Sequence, residues 1–199
     1  MPDKNRLQQQ MTFILEADKL KQILRQTPIT EKSRQENSAE HSWHVALMAI
    51  LLLEYAKSPQ IDVLQIVKML LIHDIVEIDA GDTFCYDDQA RQDQHHRELK
   101  AAKRLFNLLP SDQATMMQTL WDEYEAGQTI NAQYAKALDR LQPILLNYCT
   151  DGISWQRHNV KRHQVIARNR WIKEGAPHLW SYVKGLINDA VQRGFLSEA

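Results

Sequence analysis

Apolar residues recur along this chain at intervals of three and four, and the strict alternation that marks strands is hardly visible. The pattern predicts an all-α fold. A first periodic segment runs from about Leu15 to Gln26 and stops at Thr27-Pro28, because a proline disfavours helical geometry in the residue before it. The polar stretch ITEKSRQEN then reads as a loop. Ser38 is the expected N-cap of a second helix reaching about Lys57, with His41, Val45, Met48 and Leu52 on one stripe and Ser58-Pro59 closing it. Asp62 caps a third helix, read through Glu77, whose stripe holds Ile66 and Leu70 and which breaks at Ala80-Gly81-Asp82. A glutamine-rich, charged segment from Asp87 to Gln94 leads into Leu99, Ala102, Leu105, Phe106 and Leu109. Further helices are expected from Pro110-Ser111 to about Ala126, from Thr129 to about Cys149, and from Pro177 to about Phe195. No repeat and no Ser/Gly-rich linker divides the chain, so residues 1–199 are expected to form a single compact helical bundle of about seven or eight helices.

The composition narrows the partners. With 44% hydrophobic and 25% charged residues in 199, the chain can bury a core and is neither disordered nor fibrous. Lys+Arg (24) nearly cancels Asp+Glu (25), so no global field draws in a nucleic-acid polymer or an anionic membrane. An anionic ligand must be held locally. The longest apolar run, Val45 to Leu53, is far short of the roughly 20 residues that span a bilayer, and the polar start MPDKNRLQQQM carries no export signal. Two isolated cysteines, Cys85 and Cys149, make no disulfide framework and read as packing residues, so a cytoplasmic location is expected. Trp121, Trp155, Trp171 and Trp180, with Tyr124 and Tyr182, read as core or subunit contacts.

Chemistry shows where ionisable residues interrupt apolar stripes. His73, Asp74 and Glu77 stand where the Ile66-Leu70 stripe should continue, and His41 lies on the stripe of Val45 and Met48. Burying unpaired charge costs several kcal/mol, so such a cluster must be mutually satisfied, hydrated in a cleft or bound to a metal. A lone histidine is more often a core residue donating to a carbonyl; the carboxylate beside His73 changes that balance. His73 and Asp74 diverge by about 100° around a helix, and one cation beside that edge is reachable by both. Asp139 in YAKALDRLQP follows Ala132 and Ala135 on a small-residue face that admits close helix approach; alone it would read as a surface partner of Arg140 or Lys136.

The order His41, His73-Asp74, Asp139 resembles the HD-domain metal-dependent phosphohydrolases. The blocks SAEHSWH, LIHDIVEIDAGD and KALDRLQP resemble the branch that contains the bacterial 5'-deoxynucleotidases, over a likeness running from about Leu15 beyond Trp180. The resemblance implies an HD-type helical domain with its motif-bearing core at about 15–150 and C-terminal helices at about 159–196. It implies that His41, His73, Asp74 and Asp139 coordinate one divalent cation, with manganese, cobalt, magnesium, iron, nickel and zinc all suited to such a nitrogen and oxygen set. Glu77, about 40° from His73 around the helix, would position the nucleophilic water and exchange its proton. Asp82 matches a residue that contacts the substrate sugar, Arg34 would meet a phosphate with its planar fork, and Glu123 matches an acidic patch near the substrate.

The implied activity is phosphomonoester hydrolysis on nucleoside 5'-monophosphates or related small phosphate esters, in an enzyme whose relatives are commonly homodimers. The Arg-Trp pair that deoxynucleotidases place at the end of the first helix is replaced by Arg25-Gln26-Thr27-Pro28, which leaves base and sugar preference open. Two other classes compete. A dinuclear HD iron oxygenase needs more histidines before the last aspartate; only His95 and His96 lie there, diverging by about 100° on a helix and reading as a solvated face. A non-catalytic nucleotide-binding HD module would have no use for Glu77.

Overall fold

The computed structural model describes residues 4–199, and its long elements are all helical. The polar opening residues 1–3, part of the stretch read for an export signal, lie outside the described residues. Helix α1 (Lys4–Ala17) runs into a 3-10 turn at Asp18–Gln22. The helix expected from Leu15 to Gln26 is therefore displaced towards the N-terminus. In its place Leu24–Pro28 (β1) pairs antiparallel with Gln35–Asn37 (β2), so part of the expected loop is the second arm of a small hairpin. Pro28 closes the ladder where a missing N–H costs least, at a strand end.

Helix α2 (Ser38–Leu51) starts one residue away from the expected cap. Asn37 Oδ1 accepts from the Glu40 amide while Glu40 Oε2 accepts from the Asn37 amide, a reciprocal capping box that frees the Ser38 hydroxyl for other work. Asp62 caps α3 (Val63–Ile72) as expected, but that helix ends five residues before Glu77. The next bonds, Ile75 to Ile72 and Glu77 to Asp74, are of 3-10 type, after which α4 (Glu77–Ala80) closes on Gly81 with φ +75°.

Helices α5 (Gln94–Phe106), α6 (Ser111–Ala126), α7 (Ile130–Cys149) and α11 (Pro177–Gln192) match the expected positions closely, with Thr129 capping α7. Between the last two lie the short helices α8 (Ile153–Arg157), α9 (Arg162–Arg168) and α10 (Trp171–Gly175). The fold is thus all-α with one hairpin attached.

Two apolar clusters hold these elements. The larger centres on α2, α3 and α7 with α10 and α11, through residues such as Val45, Leu70, Leu138 and Ile172. The smaller joins α1, α5 and α6 through Phe13, Leu105 and Trp121, and it also takes Ile72, Ile75 and Val76. The tight turn after α3 therefore buries its apolar residues in one core. His73, Asp74 and Glu77, its polar residues, line an adjacent cavity of about 620 Å³. Of the aromatic residues read as core or contacts, Trp121, Trp155 and Tyr124 are buried yet reach the cavity wall, as does Trp171, while Tyr182 is exposed. Both cysteines are free; Cys149 is exposed rather than packed, and Cys85 lines the cavity.

Candidate metal centre

Three separate stretches deliver their ionisable groups to one end of this cavity. His41, on the inner face of α2, is 0% exposed, and its Nε2 lies 3.1 Å from Asp139 Oδ1 of α7 and 4.0 Å from Asp74 Oδ2. His73 Nε2 lies 3.1 Å from Asp74 Oδ1 and 3.7 Å from Asp139 Oδ1. Atoms bound at about 2.1 Å to a common ion stand roughly 3.0–4.2 Å apart, and these four spacings all fall there. His41, His73 and Asp139 each offer one atom within 4.8 Å of the others. Asp74 divides its oxygens between the two imidazoles.

Each histidine is oriented from behind. His73 Nδ1 lies 2.8 Å from the Leu70 carbonyl, which can only accept, so Nδ1 carries the proton and Nε2 presents its lone pair. That buried Nε2 has no partner with hydrogen-bond geometry, despite the two carboxylates beside it. His41 Nδ1 lies 3.0 Å from Gln142 Oε1, and the amide is held in that sense because its Nε2 donates to Glu36 Oε1 at 2.5 Å. Both imidazoles thus turn an unprotonated nitrogen towards the carboxylates, and an orphaned nitrogen among paired carboxylates is what a divalent cation satisfies.

Electrostatics separates the two rings. Burial, with the Arg25 charge, lowers His41 to about 4 against the pull of Asp139 and Asp74. Burial also acts to lower His73, but the adjacent Asp74 and Asp139 outweigh it and raise that ring. Asp139 is held well below the usual carboxylate range: burial alone would raise it, and Arg140 with the two histidines overcomes that. Tyr124 donates to its second oxygen at 2.9 Å.

Glu77 stands beside this set. Successive residues in a 3-10 turn are about 120° apart, so Asp74 and Glu77 share a side of the turn. Ser38 donates to Glu77 Oε2 at 2.6 Å, and burial, together with the Asp74 and Asp82 charges, pushes Glu77 well above its usual value. Asp82 lines the same cavity and is raised mainly by burial.

Two of the expected substrate residues lie elsewhere. Arg34 forms a two-pronged pair with Glu40, at 2.8 and 2.6 Å, on the exposed side of the α2 capping box, so its fork is already occupied outside the cavity. Glu123 accepts from Gln65 and from Thr129, each at 2.6 Å, and so fastens α6 to α3 and to the cap of α7. Glu125, two residues on, does line the cavity. His95, read as solvated, is exposed but stands on the cavity rim, within 4.8 Å of Glu98 and Glu125 ligand atoms.

Other contributors went unread. Arg25, in the strand that was expected to be helix, donates to Asp74 Oδ2 at 3.0 Å and stands 3.6 Å from Glu36. Burial drives Glu36 up to about 7, with Arg25 and Gln142 offsetting part of the rise. A signal existed for Gln142, a polar residue three after Asp139 on an otherwise apolar face; none existed for Ser38, which looks like an ordinary cap.

Residues 17–180 match the family described as HD domain. A solved chain from Magnetospirillum magnetotacticum MS-1, titled a predicted metal-dependent phosphohydrolase, is 52% identical, with a TM-score of 0.93 covering 98% of this chain and 97% of that one. A conserved hypothetical protein from Pyrococcus furiosus is 26% identical, with a TM-score of 0.59 over 87% of this chain and 99% of that one. Among curated proteins, 5'-deoxynucleotidase HDDC2 of Bos taurus is 32% identical over 112 residues, 56% of this chain and 53% of that protein. The 5'-deoxynucleotidase hdd1 of Schizosaccharomyces pombe is 23% identical over 163 residues, 80% of this chain and 76% of that protein. The chain thus spans about half the length of HDDC2.

Proposed function

The chain belongs to the HD domain family, and on that premise we propose that it is a metal-dependent phosphohydrolase, releasing phosphate from nucleoside 5'-monophosphates or related small phosphate esters. The observation that carries the reading is the meeting of His41 with His73, Asp74 and Asp139, the last three lining an open cavity, with an unpartnered imidazole nitrogen among them. Manganese, cobalt, magnesium, iron, nickel and zinc all suit this donor set. A divalent cation held there supplies Lewis-acid polarisation of a phosphoryl oxygen and acidifies water.

The chain's own residues do the rest in this reading. Arg25 keeps a permanent cation on the wall beside Asp74, where it steadies a phosphate oxygen. Glu77, with one oxygen tied to Ser38, uses the other to orient the attacking water and take its proton. A new P–O bond forms as the ester P–O bond breaks, the leaving sugar oxygen gains a proton, and alcohol and inorganic phosphate depart. Asp82, on the cavity lining, meets the sugar.

Association with a second copy and a cytoplasmic location belong to the same reading. The outer face of α2 leaves Trp43 61%, Ile50 56% and Leu51 66% exposed, an apolar surface that a partner copy would cover. Among the described residues no helix is long and apolar enough to cross a membrane.

The test is phosphate release from a panel of esters, using protein stripped by chelation and then supplied with each divalent metal. Turnover that returns with metal and is highest on nucleoside monophosphates supports the proposal. If no metal restores turnover on any ester while a nucleotide still binds, the chain is a binding module instead.

A further inference from the structure

The metal-binding end fills only part of the cavity. The cavity lining also includes Arg91, Arg140, Arg168 and Arg170, which come from the loop before α5, from α7, from the end of α9 and from the residue preceding α10, with Arg140 standing beside Asp139. Four separate stretches bring arginines to this lining, although like charges repel.

The acidic groups nearby do not match them. Arg168 pairs closely with Asp88, which also serves Arg91 at 3.9 Å. Arg140 has its Nε 3.6 Å from Asp139 Oδ2, an ion pair too long for a hydrogen bond, and that Nε is buried without a hydrogen-bond partner. Arg140 nevertheless leaves 36% of its side chain open, on the cavity wall. No carboxylate is paired with Arg170 among the described residues. Burial, with the neighbouring Arg168 and Arg140 charges, pulls Arg91 below its ordinary value, which marks the surplus of positive charge. Planar guanidinium forks on a cavity wall, two of them open to solvent, match the oxygens of phosphate and carboxylate groups. The scissile phosphate has its own cation, Arg25, beside Asp74.

We propose that this wall is a second anion subsite, so that the substrate is a phosphomonoester carrying another anionic group, a phosphate or a carboxylate, at the end remote from the bond that breaks. The proposal rests on the phosphohydrolase reading for what happens at the metal end; the subsite itself is a matter of binding. A cavity of about 620 Å³ has room for such an extended ligand.

Matched substrates provide the test. Adenosine 3',5'-bisphosphate is compared with adenosine 5'-monophosphate, and orotidine 5'-monophosphate, with its ring carboxylate, with uridine 5'-monophosphate. In the metal-loaded protein at least one of the two substrates that carry a second anionic group is expected to show kcat/KM about tenfold or more above its partner. Which pair responds identifies the second group. In the Arg91→Gln, Arg168→Gln double variant that ratio should fall towards one through KM, whereas Arg168→Lys should keep part of it; a melting curve confirms that each variant folds. Ratios near or below one for both pairs, or a preference that survives the double variant, overturn the proposal. If no ester is turned over at all, the phosphohydrolase reading fails, and calorimetric binding of the bisphosphate against the monophosphate decides the subsite separately: tighter binding that the double variant abolishes supports it, and equal binding refutes it.

Discussion

Glu77 and Gln142 illustrate two kinds of support at the cluster. Glu77 has Ser38 as its hydrogen-bond partner and lines the cavity. Glu77→Gln keeps the shape and removes the base, so kcat should fall by about 10²–10⁴-fold while bound metal, measured by elemental analysis, stays at the parent level. Loss of metal would instead make Glu77 a ligand. Gln142→Leu should act differently: it releases His41 Nδ1 and leaves Glu36 without its amide donor. Metal affinity, measured by competition with a chelator, should weaken by about 10–100-fold. His41, His73 and Asp74 stood out because ionisable types occupied positions where an apolar stripe demanded leucine, whereas Asp139 was singled out by its small-residue face and by the resemblance. Ser38 was not, because a serine at a helix start is ordinary until its neighbour from another element is known, and Gln142 was marked only as a polar residue on an otherwise apolar face.

Helices α6, α7 and α11 were readable almost to the residue, since each carries its own periodicity and its own start or stop signal. The segment from Leu15 to Pro28 was not. Its apolar spacing suits a helix, yet Leu24–Pro28 is held extended by a partner strand and by the elements it packs against, and local spacing holds no record of either. The break after α3 is similar: His73 to Val76 keep helical spacing, and only the two cores on either side favour the tighter turn that aligns Asp74 with Glu77. Element packing also sets its own tolerances. A Cβ on Gly175 would stand 2.1 Å from the Gln133 carbonyl oxygen, a backbone atom that cannot give way, so α10 would have to part from α7. Gly175→Ala should lose about 1–3 kcal/mol of stability, read as a lower urea midpoint at unchanged slope. Asn37→Ala, which opens the capping box of α2, should lose about 1 kcal/mol by the same measurement.

Across the whole molecule, the cluster gathers Asp74, Glu77, Asp82 and Asp139 against Arg25 and Arg140, so the metal-free chain is compensated enough to fold while remaining a place where added positive charge is welcome. Manganese at a hundredfold excess over its Kd should raise stability by about 2.7 kcal/mol, or about 5–10 °C in melting temperature, and chelation should reverse it with the far-ultraviolet dichroism unchanged. Trp43→Asp, on the outer face of α2, should lower the mass seen by light scattering to that of one 23.2 kDa chain if a second copy covers that face. Helical character, the principal helices and the polar types that interrupt apolar stripes are properties of spacing and residue chemistry, so they can be read along a single strand of letters. Which polar groups become a site is a property of convergence. Arg25 in and Arg34 out, Glu125 in and Glu123 out, differ by a strand pairing or a fraction of a helical turn. Such differences arise only when the packing of two cores brings distant segments together and assigns each polar side chain its partner.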